Sequence, residues 1–126
     1  GPAGCGQHAK MANQIMIAGA LSGVCEALAY AKAEGLDRST LVNALSSGAA
    51  GSKQLDFQGH KILDGDFAPG FFMKHFIKDM RLAEEEANHS GLDLNVLRQT
   101  LENCRALEQQ GCGDLGTQAL IKFYEK

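Results

Sequence analysis

The chain has 126 residues, 15 acidic and 12 basic, for a formal net charge of −3. That is one ordinary domain, large enough to bury a core without metal or disulfide support. The mild acidity offers no basic face to nucleic acid, and charges of both signs are interspersed as on a water-facing surface. Cys5, Cys25, Cys104 and Cys112 show neither CxxC pairing nor a Cys/His ligand spacing. They read as reduced thiols of a cytosolic protein, two or more of them packed as small hydrophobes, with no metal site.

The first element is a helix over 7–34, unbroken until Gly35 supplies a left-handed stop. Within it, 15–31 carries Glu26 as its single charge. Its alanines and glycines are too weakly apolar for a bilayer span, so it reads as a buried central helix. Ala18, Gly19, Ala20, Ser22, Gly23 and Ala27 leave little bulk on it, which lets neighbouring helices come close. Asp37 or Ser39 caps a second helix to Ser46, with Leu41, Val42 and Leu45 inside. A glycine-rich break over 47–51 precedes a third helix from Ser52, with Leu55, Phe57 and Ile62 inside and Asp64-Gly65-Asp66 as its end. Phe67-Ala68-Pro69-Gly70 is a turn or extended linker. Helices over 72–89 and 95–109 follow, the latter burying Val96, Leu97, Leu101 and Leu107, and a short one over 119–124 closes the chain. Valine occurs only three times and no segment alternates as a strand does. The expected architecture is therefore all-α, about six helices around one long central helix, in a single domain over 1–126.

Lys10 and Asn13, three residues apart at the mouth of the first helix, are the leading chemical candidates. Helical spacing puts Asn13 and Gln14 on the same side as Lys10, so an amine stands beside carboxamides. Partly desolvated, such an amine suits hydrogen bonding to an alcohol or carbonyl oxygen and proton transfer. Spacing alone favours the plainer reading of a surface lysine, although a cation in the first turn opposes the helix dipole. Gly4-Cys5-Gly6-Gln7-His8-Ala9 matches the GxGxxG/A dinucleotide pattern, but that motif works only between a strand and a helix. A glycine-rich lead into a helix is the better reading. None of the four histidines has a ligand-spaced partner; His75 is the one expected to border a cavity. Phe71 follows Pro69-Gly70 on a turn, where an aromatic edge can face a ring. Lys78-Asp79 reads as an exposed pair, and Glu84-Glu85-Glu86 as a solvated run.

Taken together, Gly4-x-Gly6-Gln7-x-x-Lys10-x-x-Asn13, Glu26-Ala27-Leu28, Gly35-Leu36-Asp37, Phe67-x-Pro69-Gly70-Phe71, Lys78-Asp79-Met80-x-Leu82-Ala83 and Gly113-Asp114 resemble the β-hydroxyacid dehydrogenases. That family includes 3-hydroxyisobutyrate dehydrogenase and tartronate semialdehyde reductase. The likeness runs through the whole chain in order and corresponds to the family's C-terminal helical substrate domain, the type found in 6-phosphogluconate dehydrogenase. It implies that Lys10 is the general acid/base on the 3-hydroxyl and that Asn13 orients the substrate. It also implies that Gly6 keeps backbone bulk away from the substrate, that Phe71 and Lys78 approach the NAD or NADP cofactor, and that Asp79 is a weaker cofactor-side candidate that holds Lys78. A homodimer through this domain is implied, with no membrane and no nucleic acid as partner.

The family's N-terminal Rossmann domain, which binds most of the dinucleotide, has no counterpart in this chain. Gly1-Pro2 fits either a native start or a scar of tag removal. The expectation is that the chain alone turns over no 3-hydroxy acid. A different reading makes it a free-standing helical interaction module with Lys10 incidental. A helix-turn-helix over 35–51 is disfavoured by the acidity.

Overall fold

The computed structural model describes residues 5–125. Helix α1 (Cys5–Ala33) ends where Gly35 takes φ +72° and the Leu36 N–H returns to the Ala31 carbonyl. Helix α2 (Arg38–Ser46) starts after Asp37, whose carboxylate accepts from the Thr40 hydroxyl and caps no backbone N–H. Ser52 Oγ then accepts from the Leu55 N–H, starting a helical segment in which Leu55–Gly59 is a wide π turn running into α3 (His60–Asp64). Gly65, at φ +68°, ends it.

Helix α4 (Met73–His89) stops at Gly91, at φ +75°. Helix α5 (Asn95–Leu107) widens into a second π turn, Glu108–Cys112, broken by Gly111 at φ +94°. A 3₁₀ turn, Thr117–Leu120, leads into α6 (Ile121–Tyr124). Among the described residues no strand forms; one isolated bridge joins Phe72 to Gly116. The all-helical expectation holds, with six helices and the long first one central. The glycine run over 1–4 lies outside the described residues.

Helix α1 packs against α4, α5 and α6 and against the π turn before α3. Its inward face carries Ala18, Leu21, Val24, Cys25 and Leu28, which join Phe76 and Met80 of α4 and Leu97, Leu101 and Cys104 of α5 in one core, with Ala31 buried further along the same helix. Cys25 and Cys104 are packed as small hydrophobes, as expected, and burial pushes the Cys104 thiol up to about 12.

The helix is not buried all round. Met16, Gly23, Ala27 and Tyr30 are exposed, and steps of 100° per residue align them in one stripe. The neighbours within the chain cover only the opposite side. At Gly19 and Gly23 an added Cβ would meet nothing within 4 Å, so the close helix approach expected there does not occur inside the chain. Two further assignments are corrected: Phe57 is 63% and Val96 61% exposed. Each lies on a helical turn whose inward positions are already filled, by Leu55 and Ile62 in one case and by Leu97 and Leu101 in the other.

Candidate functional site

In the second turn of α1, Lys10 stands at a cavity of about 80 Å³ lined also by Gln7, Met11, Gln14, Asp79 and Leu82. The first helix supplies the i−3, i, i+1 and i+4 positions of one face, and α4 closes the opposite wall with residues three apart on its own inner edge. An amine, two carboxamides and a carboxylate thus converge on one small volume. That set can donate to and accept from a hydroxyl or carbonyl oxygen and can hold a proton on the amine.

Lys10 itself is exposed. The desolvation expected for it is not provided by this chain. Asn13 is exposed as well and does not line the cavity: it projects about 60° to one side of Lys10 while Gln14 projects about 40° to the other. Gly6 is exposed within α1, and a Cβ there would meet nothing, so no packing inside the chain requires the glycine. Because the helix has already begun at Cys5, Gly6 is not in a strand-to-helix turn, and the dinucleotide pattern has no local geometry to act in.

On α4, the two adjacent charges part company. Asp79 is half-buried and faces the Lys10 cavity, whereas Lys78 is exposed and does not line it. No ion pair joins them among the described residues.

Phe71 lies at a second cavity of about 140 Å³. Its ring is 42% exposed, and its neighbours there are Ile17 and Phe76 on the apolar side and Gln14, Gln54, Gln58 and Thr117 on the polar side. Gln14 belongs to both cavities and makes them adjoining compartments. The turn that bears Phe71 is fixed by backbone bonds: the Gly116 N–H donates to the Phe67 carbonyl at 2.9 Å and the Met73 N–H to the Leu115 carbonyl at 2.8 Å. Gln118, 1% exposed, donates from Nε2 to the carbonyls of Asp66 and Ala68, each at 2.9 Å.

His75 is exposed and lines neither cavity; it stacks edgewise on Phe71 with ring centroids 6.3 Å apart. Close by, the Lys74 ammonium pairs with Asp114 at 2.7 Å, and that hydrogen bond and charge hold the Asp114 carboxyl below its ordinary range. Sequence reading named Gln14 only as a neighbour of Lys10 and did not single out Gln7, Gln54, Gln58 or Thr117. Gln7 was reachable from the i, i+3 spacing. The last three come to the cavity from segments remote in sequence, which periodicity does not connect.

The profile of the family described as "NAD-binding of NADP-dependent 3-hydroxyisobutyrate dehydrogenase" matches residues 4–124. A probable 3-hydroxyisobutyrate dehydrogenase-like 1, mitochondrial, from Arabidopsis thaliana is 45% identical over the whole chain, which covers 38% of that relative. The 2-hydroxy-3-oxopropionate reductase of Escherichia coli is 33% identical over 97% of the chain and 42% of the relative. The chain thus spans about two fifths of the length of these relatives. Among solved structures, a 3-hydroxyisobutyrate dehydrogenase of Mycobacterium tuberculosis superposes with a TM-score of 0.90 at 22% identity, over the whole chain and 45% of that protein, and so shares the fold. With the family profile running through nearly all of it, this chain belongs to the 3-hydroxyisobutyrate dehydrogenase family.

Proposed function

We propose that this chain is the C-terminal, all-helical substrate and proton-transfer part of an NAD(P)-dependent 3-hydroxyacid dehydrogenase. The observation that carries the reading is the half-built state of the Lys10 site: amine, carboxamides and carboxylate converge, yet the amine is open to solvent. A proton-transfer lysine works best in a desolvated cleft, so another part of the enzyme closes over it. The relatives' greater length leaves room for that part, a dinucleotide-binding domain.

In this mechanism Lys10 Nζ takes the hydroxyl proton of a small 3-hydroxy acid during oxidation and returns it to the carbonyl oxygen in the reverse direction. NAD or NADP, held mainly by the other domain, supplies the hydride acceptor or donor. Asn13, on the open flank of Lys10, orients the substrate from the side that the closing domain covers. Gly6, with empty space where a side chain would project, admits the substrate backbone-close. Residues here fit a nicotinamide: Phe71 presents a half-exposed ring edge beside a cavity with polar groups, and Lys78 offers a free-standing exposed amine for a phosphate or ribose. Asp79 acts on Lys10 rather than on Lys78.

The exposed stripe of Met16, Gly23, Ala27 and Tyr30, with open space over Gly23 and over Gly19 beside it, supports a homodimer through α1. A cytoplasmic setting accords with reduced, buried thiols.

The test is a steady-state assay on the enzyme containing this chain together with its dinucleotide-binding domain. Lys10→Ala is expected to lower kcat by roughly 10²- to 10⁴-fold, the usual worth of a positioned acid/base. This chain alone is expected to give no turnover. Unchanged kcat in Lys10→Ala removes the lysine from the mechanism, and NADH formation by the chain alone removes the division of labour.

A further inference from the structure

Gln54 stands just before the wide turn at Leu55–Gly59 and Gln58 within it, and both reach the cavity beside Phe71. Their carbonyl oxygens, Oε1 in each case, are shut off from solvent and have no hydrogen-bond partner within the described chain. Such orphaned acceptors are uncommon in folded proteins, because each forfeits its hydration without replacement. Gln58 is held by its other end, Nε2 donating to Thr117 Oγ1 at 3.4 Å. The two oxygens thus call for two donors. The terminal amide torsion of glutamine is soft, and turning an amide over exchanges an unmet acceptor for an unmet donor. A ligand group that carries donors and an acceptor together answers either setting.

Place narrows the choice to one such group. The cavity has Ile17 and Phe76 as apolar wall and the half-exposed Phe71 ring on its rim, and Gln14 joins it to the Lys10 cavity. With the substrate oxygen at Lys10, the ring carbon of nicotinamide that exchanges hydride has to face the carbon bearing that oxygen. The carboxamide of nicotinamide sits on the next ring carbon. A ring lying against Phe71 therefore carries this arm into the adjoining compartment while its reactive carbon stays on the Lys10 side. The arm's NH₂ brings one N–H for each orphaned oxygen, and its carbonyl accepts from a glutamine amide such as that of Gln14.

We infer that Gln54 and Gln58 form the receptor for the carboxamide of the nicotinamide ring, each accepting one of its N–H groups, so that this helical part of the enzyme reads the cofactor at its reactive end. This rests on the proposed function above, with Lys10 at the reacting oxygen and Phe71 at the nicotinamide.

The experiment uses the complete enzyme and calorimetric titration with NAD or NADP, whichever it binds, and with the analogues of that dinucleotide in which acetyl or carboxylate replaces the carboxamide. Neither replacement has an N–H to give. Wild type is expected to bind the natural cofactor about tenfold or more tightly than either analogue, the scale set by a buried acceptor left unpaired. Gln54→Met and Gln58→Met, close in shape to glutamine, each bring that ratio toward unity by weakening the natural cofactor more than the acetyl analogue. A merely structural role would weaken both alike. Equal or tighter binding of either analogue by wild type overturns the inference, whatever the variants do. An unchanged ratio in both variants overturns it too, and shows that the two oxygens are satisfied by water alone. Lys10→Ala separates the layers: if it abolishes turnover while the ratio test fails, only the carboxamide receptor falls; if it leaves kcat intact, the underlying function falls.

Discussion

The backbone N–H of Thr117 donates to the carbonyl oxygen of Phe71 at 3.1 Å. The aromatic edge at the second cavity is thereby placed by main chain rather than by its own packing. The segment over 113–118 acts as a clamp on the loop over 66–72, and the buried Gln118 amide completes it from inside. The clamp is tight. A Cβ on Gly116 would come within 2.1 Å of Gln118 Oε1.

Gln118→Leu is expected to leave two loop carbonyls without their donor and to lower unfolding stability by about 1–3 kcal/mol in urea titration. Gly116→Ala should cost a similar amount, about 1–3 kcal/mol, by forcing the glutamine aside. Both variants should also speed proteolytic nicking of the loop over 66–72. A Gln118→Leu protein as stable and as protease-resistant as wild type would show that the clamp does not depend on that amide.

Phe71→Ala separates binding from folding. The ring is 42% exposed, so stability should move by less than about 1 kcal/mol. Loss of an aromatic contact is worth about 0.5–1.5 kcal/mol, so in the complete enzyme the dinucleotide KM should rise roughly two- to tenfold. Lys78→Ala should weaken the same binding in a salt-dependent way, the deficit shrinking as ionic strength rises. Equal deficits at low and high salt would argue against a charge contact.

The thiols give a pH prediction with a definite sign. Burial pushes Cys104 up to about 12 and Cys25 higher still, Cys25 being raised further by Cys104 and nearby carboxylates. Tyr124 rises to about 12 through burial and the charge of Glu26, to which its hydroxyl donates at 3.2 Å. In each case the folded state holds its proton more tightly than the unfolded chain does. The stabilisation is complete below about pH 9, the unfolded thiol value, and is lost as pH climbs toward 12. Stability should therefore fall steadily through that alkaline window, and a flat profile would contradict the burial of these groups. At neutral pH a thiol reagent should label the half-buried Cys112 while sparing Cys25 and Cys104 until the protein unfolds.

Core and surface positions should separate cleanly. Phe76→Ala, fully buried against α1 and α5, is expected to cost about 3–5 kcal/mol. Phe57→Ala and Val96→Ala, both largely exposed, should each stay within about 0.5 kcal/mol in the isolated chain. A large loss at Val96 would mean that a partner covers it in solution.

The sequence made the helices readable because their ends are written in glycine: Gly35, Gly65 and Gly91 each take a positive φ where the pattern breaks. The two widened turns were not readable, since Gln54 and Glu108 sit in segments with ordinary helical composition. Lys10 was legible as half of a chemical pair, but the carboxylate that shares its cavity, Asp79, is brought in from α4. Asn13, the nearer candidate by spacing, faces outward. Spacing along one helix fixes a direction to within tens of degrees, and cavity walls are built by crossings between helices that no single period encodes. The same limit hid the inward glutamines and misassigned Phe57 and Val96.

The wide turn at Leu55–Gly59 carries one residue more than an α-turn needs. Removing one residue from it would let the turn tighten to α geometry while the helix on either side keeps nearly its present facing, because about five residues of π winding turn about as far as four of α winding. The extra residue is thus a local device: it widens the wall that carries Gln54 and Gln58 without re-aiming α3. A single-codon deletion there should reshape the compartment beside Phe71 and leave the rest of the fold standing, whereas point changes at the outward Asp56 or Phe57 are absorbed.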